Sequence, residues 1–463
     1  MNKQTNFKLS ELFELIEKHN VSGPRYTSYP TAVQFESNFD DSILDNEFQY
    51  RSENPSLYSL YIHIPFCFSL CWYCGCTKII TKDQNRGDIY LDYLEKEMKL
   101  VSENIHPESS LKQIHFGGGT PTFLTPDQLM RLGALIHQYF SIHPDPEFSV
   151  EIDPRRITEE HVIALGKIGC NRASLGVQDT DPEVQKAIHR IQPFEQTKKV
   201  VDDLRKHGIN QINLDLIYGL PKQTLNSFQQ TLDDALSLNP DRFAIYSYAH
   251  IPSVMPAQKL LNGEDFPSTQ EKLGMLMMAI EQLGENGYEY IGMDHFARES
   301  DELVKALQEG SLQRNFQGYS THAELDMIAL GMSGISQSGR LYYQNDKNLD
   351  DYYQLLNEGE LPIKKAYELT DEDKIRKKII MQIMCKGEVN YPEFYTETGV
   401  NIPEKYSSEL NQLAGFEADG LLIQSPNGFH ITETGRLFLR NIAMVFDEHL
   451  KTHRLKPTYS KTI

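Results

Sequence analysis

From about residue 57 onward, strand-like and helical runs alternate, and this alternation admits few folds. The strand-like runs read SLYIHI (59–64), QIHFGGG (113–119), FSVEID (148–153), RASLGVQ (172–178), QINLDLIYG (211–219), RFAIYSYAH (242–250) and YEYIGM (288–293). Segments of helical period separate them. One is LTPDQLMRLGALIHQYF (124–140), with Leu129, Leu132, Leu135 and Ile136 on one face. Its Thr125 and Gln128 are spaced for a capping box, with Pro126 at the first helical position. Another, FEQTKKVVDDLRKHG (194–208), closes on Gly208 as a C-cap signal. Strands alternating with helices of this length predict a parallel sheet, and six or seven such units suffice to curl it into a barrel or partial barrel. The expected class is α/β, with a partial (β/α)6-type barrel over residues 41–330.

The flanks differ. Residues 8–20 read as a short amphipathic helix, and SGPRYTSYPTA (22–32) reads as an ordered arm packed over something; together they form an N-terminal unit, 1–40. Near residue 300 the pattern changes. DEDKIRKKIIMQIMCKG (371–387) is helical, and GLLIQSPNGFHITETGRLFLRNIAMVFDEHL (420–450) reads as strand, Asn-Gly hairpin, strand and helix. This predicts a mostly helical, winged-helix-like α+β domain over 331–463, read as a lid. A net charge of −20 argues against a broad nucleic-acid face. No apolar run reaches the roughly 18 residues of a membrane span. The first twenty residues carry Glu11, Glu14 and Glu17 and no apolar h-region, so no signal peptide is expected. The expectation is a cytoplasmic protein without a nucleic-acid partner or a membrane span.

Four of the six cysteines crowd into CFSLCWYCGC, spaced Cys67-x3-Cys71-x2-Cys74-x-Cys76. In a cytoplasmic chain of 463 residues, whose core needs no disulfide staple, such a cluster points to metal or catalysis. Zinc sites usually pair two separated knuckles, and here Cys170 and Cys385 stand alone. A thioredoxin-like Cys-x2-Cys leaves Cys67 unexplained. Thiolate ligation of an iron–sulfur cluster fits better: three cysteines on a 4Fe–4S cube leave one iron open to a ligand. The loop follows a strand that would end at the barrel's C-terminal mouth, where barrel enzymes place chemistry. Other residues fall near that mouth. Tyr61 and His63 share a face of the first strand, Glu151 ends the third, and GGGTP (117–121) lets backbone approach a ligand closely. Each has a plainer explanation when taken singly: a satisfied core histidine for His63, a tight turn for GGGTP, an inner ion pair for Asp215 and core packing for Ile335.

A Cys-x3-Cys-x2-Cys run after a strand, with aromatic Tyr73 before the third cysteine, resembles the radical S-adenosylmethionine (SAM) enzymes. RYTSYPTA, YIHIPFC, LCWYCGC, HFGGGTPT, EIDPR, LGVQD, NLDLIYGLPKQT, NPDRFAIYSYAH, IGMDHFA and GYSTH are together similar to one branch, the oxygen-independent coproporphyrinogen III oxidase (coproporphyrinogen dehydrogenase) family. The likeness runs from residue 22 into the C-terminal region. It implies a radical SAM partial barrel in which Cys67, Cys71 and Cys74 ligate the 4Fe–4S cluster, with Cys76 close by and not a ligand. It implies catalytic roles for Tyr61, His63 and Glu151. Tyr61, Gly118, Gly119, Thr120 and Glu151 would contact SAM; Gln178, Asp215 and Arg190, the last expected in a helix, would bind a second SAM; Tyr73, Ala249 and Ile335 would line the sites.

The implied reaction is oxidative decarboxylation of two propionates of coproporphyrinogen III to vinyl groups, giving protoporphyrinogen IX in haem biosynthesis. It would need a low-potential electron donor and an electron acceptor, in a monomer. Arginines pair naturally with propionates, and Arg25, Arg298 and Arg314 qualify on chemistry alone. The sequence departs from the family where Glu324 replaces an aspartate, Leu325 a threonine and His189 a common asparagine. Alternatives are a radical SAM haem chaperone, a haem-degrading paralogue, and a non-catalytic iron–sulfur or zinc interaction protein. The chaperones generally lack the Gly-Cys after the third cysteine and the RYTSYPTA arm, both present here.

Overall fold

The structure, a computed structural model, describes residues 9–316, 318–322, 325–452 and 459–462. Glu324 therefore lies outside the described residues. Twelve strands form one open sheet. They are β1 (Leu57–Ile64), β2 (Ser110–Gly118), β3 (Ile142–Ile152), β4 (Arg172–Gln178), β5 (Gln211–Tyr218), β6 (Arg242–Ser247), β7 (Tyr288–Gly292), β8 (His295–Arg298), β9 (Asp326–Leu330), β10 (Ile335–Gln337), β11 (Leu341–Asn345) and β12 (Ile363–Glu368). Their order is β12-β11-β10-β9-β1-β2-β3-β4-β5-β6-β8-β7. The centre, β9 and β1 to β6, is parallel. Both margins are antiparallel.

Two expectations change here. The run at 288–293 is not a further βα unit: it pairs antiparallel with β8, because only the two residues Met293 and Asp294 separate them, enough for a hairpin and too few for a crossover. The sheet also continues beyond residue 330, so the expected boundary at 330/331 falls between two strands of one sheet.

Period-two alternation explains the interior. Leu60, Ile62, Ile114, Phe116, Phe148, Val150, Leu175 and Leu214 are fully or almost fully buried among the covering helices. The alternate positions Tyr61, His115, Glu151, Ser174 and Asp215 meet one another on the opposite, polar face. The helix Pro126–Tyr139 has its capping box and buries the four predicted residues. Helix Phe194–Lys206 is followed by Gly208 at φ +85°, as the C-cap signal requires.

The arm is ordered. Tyr26 and Tyr29 are buried in a second apolar cluster with Ile379, Ile383, Phe394, Ile442 and Phe446 of the C-terminal region. That region carries a three-stranded sheet of β13 (Glu388–Asn390), β14 (Leu422–Ser425) and β15 (Gly428–Ile431). The predicted hairpin forms, with Pro426 and Asn427 at its tip rather than Asn-Gly. Gly428 pairs with Ser425, and a Cβ there would lie 2.2 Å from the Val389 carbonyl. Among the described residues no helix is long and apolar enough to cross a membrane.

Candidate active site

The cysteine loop leaves the C-terminal end of β1. Phe66–Cys67 pairs in parallel with Ile79–Ile80, which closes the loop at its base. The loop is also tied to the turn that follows the short helix Pro182–Ala187. The Trp72 amide donates to the Ile188 carbonyl at 3.1 Å, and His189 Nδ1 donates to the Leu70 carbonyl at 2.8 Å while its ring stacks on Trp72. His189 has φ +57°, in the left-handed region where Asn and His are both enriched.

Each of Cys67, Cys71 and Cys74 meets hydrogen-bonding groups from the protein. Cys67 Sγ lies 3.4 Å from the Thr120 hydroxyl. Cys74 Sγ accepts from the Cys76 amide at 3.4 Å. Cys71 Sγ accepts from Arg155 Nη2 at 3.3 Å and Arg190 Nη1 at 3.5 Å. Both guanidiniums are held by Asp153, just past the end of β3. Although burial opposes it, Arg190 and Arg155 keep the Asp153 carboxyl down at about 2. Contact with Cys76 and the charge of Lys78 lower the Cys74 thiol to about 6, and burial pushes the Cys67 thiol up to about 11.

Among the described residues no three His, Cys, Asp or Glu side chains converge as a single metal ion requires. Three thiolates on separate irons of a cube do not converge on one point. Sulfurs ringed by N–H and O–H donors suit such a cluster, whose potential is tuned by hydrogen bonds to sulfur.

Beside the loop lies a polar network. The Thr77 carbonyl, 3.0 Å from His63 Nε2, fixes the proton there, so Nδ1 accepts from the Tyr61 hydroxyl at 3.1 Å. Burial lowers the His63 pKa and keeps the ring neutral. Tyr61 stacks on His115 with ring centres 5.8 Å apart. Glu151 accepts from the Gly118 amide at 3.2 Å, lies 3.4 Å from His115 Nε2, and leaves 46 % of its side chain exposed. The glycine turn permits this closeness: Gly118 has φ +114°, and a Cβ on Gly119 would lie 2.6 Å from the Pro65 carbonyl.

The remaining predicted residues fall into separate groups. Arg190, expected in a helix, instead lies just past the turn after Pro182–Ala187, because that helix spans only six residues. From there it donates to the Gly176 carbonyl at 2.6 Å, beside Gln178, itself at φ +69°. Asp215 accepts from Ser174 and Asn213; burial and then the Glu151 charge raise its pKa to about 7. Tyr73 and Ala249 are brought together by Gln258, which donates to both their carbonyls. Ile335 starts β10 and packs, half-buried, against the cluster of Phe35, Tyr342 and Leu369. Sequence reasoning passed over Gln258, Asp153, Arg155 and His115, although EIDPR and HFGGG contain the last three.

The chain matches the family model described as the radical SAM superfamily over residues 61–235, and that described as the HemN C-terminal domain over residues 369–438. It is 44% identical over 441 residues to the oxygen-independent coproporphyrinogen III oxidase of Pseudomonas aeruginosa, covering 94% of this chain and 95% of that one. The Escherichia coli protein of the same name is 41% identical, with 97% and 98% covered. The solved structure of coproporphyrinogen III oxidase (HemN) from Escherichia coli, described as a radical SAM enzyme, superposes with a TM-score of 0.90 at 40% identity, over 95% of this chain and 99% of that one. An iron–sulfur cluster and SAM follow from membership of that superfamily. The chain belongs to the oxygen-independent coproporphyrinogen III oxidase family of radical SAM oxidoreductases.

Proposed function

We propose that this protein decarboxylates two propionate side chains of coproporphyrinogen III without oxygen, giving the vinyl groups of protoporphyrinogen IX. The observation that carries the reading is the pairing of the donor-ringed Cys67, Cys71 and Cys74 with the Glu151–Gly118 network at the C-terminal ends of β1, β2 and β3. Held by Cys67, Cys71 and Cys74, a 4Fe–4S cluster would supply one electron, and SAM bound beside it the radical chemistry that removes a hydrogen atom from the propionate β-carbon. Each propionate would lose that hydrogen atom, CO2 and one further electron, which passes to an external acceptor, and so become a vinyl group.

The chain's own groups bind and orient. Cys67, Cys71 and Cys74 hold the cluster, and Arg155 and Arg190 neutralise charge at Cys71. Glu151, exposed towards the mouth, accepts from the SAM amino group or ribose hydroxyls. Gly118, Gly119 and Thr120 admit SAM against backbone. Tyr61 and neutral His63 wall the first SAM. Gln178, Arg190 and Asp215, with Tyr73, Ala249 and Ile335, belong to a second SAM site. A low-potential donor, an electron acceptor, a cytoplasmic setting and a monomer complete the reading.

The test is anaerobic turnover of the reconstituted enzyme with SAM, coproporphyrinogen III, a low-potential reductant and an electron acceptor. Protoporphyrin, recovered after oxidation, together with 5′-deoxyadenosine is the expected result. Deoxyadenosine without vinyl product would overturn the substrate assignment, and neither product from a protein with its cluster intact would overturn the enzymatic one.

A further inference from the structure

Three guanidinium groups meet where the arm, the segment Gln313–Asn315 and the helix Leu439–Met444 come together. Arg314 Nε donates to the Arg25 carbonyl at 3.3 Å. Arg440 donates to the carbonyls of Gly23, Pro24, Lys461 and Thr462 and to the Ser460 hydroxyl. Among the described residues, Asp294 is the single carboxylate that bonds to any of the three, through Arg25. The excess positive charge is felt: burial, then Arg25 and Arg314, hold Arg440 down at about 9.

Two buried polar atoms in this group have no partner. Arg314 is 6% exposed, and its Nη1 bonds to nothing; His295 Nδ1 is in the same state. Both side chains lie against Tyr319, Arg314 over the ring at 4.7 Å and His295 edge-on at 5.3 Å. Arg25 lies over Tyr246 at 5.7 Å. Tyr246, Tyr319 and His295 line the cavity inside the sheet that also contains Glu151 and Asp215. Arg25, with 34% of its side chain open, and Arg440 line a second cavity of about 570 Å³ at the rim, a size that suits a small organic ligand. Buried cations with unfilled donors are costly unless an anion completes them.

Arg298, equal to the others on chemistry, is set apart here. Its Nε donates to the Pro240 carbonyl at 2.9 Å, it bonds to Asn239, and it packs on Tyr288.

We propose that Arg25 and Arg314, backed by the charge of Arg440, clamp a carboxylate of the tetrapyrrole substrate, and one that stays in the product. The clamp rests on the functional reading above. A carboxylate that leaves does so as neutral CO2, and two guanidiniums would stabilise its anion in the ground state against that loss. A retained propionate carries no such penalty, and its binding energy positions the ring.

The probe is coproporphyrin III, the oxidised fluorescent form, titrated anaerobically into reconstituted holoenzyme beside its tetramethyl ester. Arg25→Gln and Arg314→Gln are each expected to weaken tetra-acid binding roughly ten- to hundredfold, the factor for charge-assisted bonds. Arg314→Lys should fall between, and the ester should bind parent and variants alike. Iron content and substrate-free SAM cleavage should be unchanged, and turnover at saturating substrate should fall far less than kcat/KM. If Arg25→Gln lowers iron content, Arg314→Lys and Arg314→Gln carry the comparison. Variants that bind the tetra-acid as the parent does would overturn the clamp alone. A parent that neither binds the tetra-acid better than the ester nor turns over the porphyrinogen would overturn the clamp and the functional reading together.

Discussion

Single residues here act through their neighbours, and two substitutions isolate that. Cys71 is buried between the guanidiniums of Arg155 and Arg190, so Cys71→Ser changes volume little while removing the thiolate. The variant is expected to lose cluster iron and turnover while its circular dichroism and unfolding midpoint match the parent; full iron with normal activity would refute the ligand assignment. Asp215 sits raised to about 7, chiefly through burial and then Glu151. Folding thus favours its neutral form. Its contribution is fully present below the unfolded value near 3.9 and is lost as pH rises through about 7. In urea unfolding without SAM, Asp215→Asn is therefore expected to become more stable relative to the parent between pH 4 and pH 8. A pH-independent difference would sink that account. At this scale the cysteine spacing was fully legible, since a loop of ten residues keeps its own thiols together. Gln258 was not, because nothing in sequence ties it to Tyr73, 185 residues away.

At the scale of elements, the strand runs were legible because alternation is a local property. Arg190 was misread because a helix of six residues leaves too short a pattern to show its end. The turn after β2 is the element on which the proposed SAM site depends. Gly119 donates its amide to the Ile64 carbonyl at 2.8 Å, and a Cβ on it would strike the backbone of Pro65 rather than a yielding side chain. Gly119→Ala is expected to cost about 1–3 kcal/mol, as overpacking does, and to weaken SAM binding. Gly263→Ala, where a Cβ meets nothing within 4 Å, should be neutral. Denaturant unfolding and SAM titration of the two variants check the contrast, and equal costs would contradict it.

Over the whole molecule, the arm is buried in the C-terminal core and bonded to the main sheet, where Tyr342 donates to the Tyr29 carbonyl. Tyr26 is 1% exposed and donates to Asp447 at 2.8 Å, across 421 residues of chain. Tyr26→Ala is expected to cost about 3–5 kcal/mol, as large aromatic truncations do, and to open the arm to limited proteolysis. Tyr26→Phe should cost about 1 kcal/mol, the lost hydrogen bond. Thermal unfolding of both checks the order, and similar midpoints would show that the arm is held elsewhere. The same anchoring carries Arg25 to Arg314 and Arg440. The sequence by itself determined the seven strand runs between residues 59 and 293, the capped helices, the cysteine loop and the family, because each is written in local spacing and pattern. Only the tertiary structure decided that 288–293 turns back as a hairpin, that the sheet runs on past residue 330, and which arginines converge. Those outcomes depend on which surfaces meet after folding, and charges brought together from distant segments leave no periodicity to read.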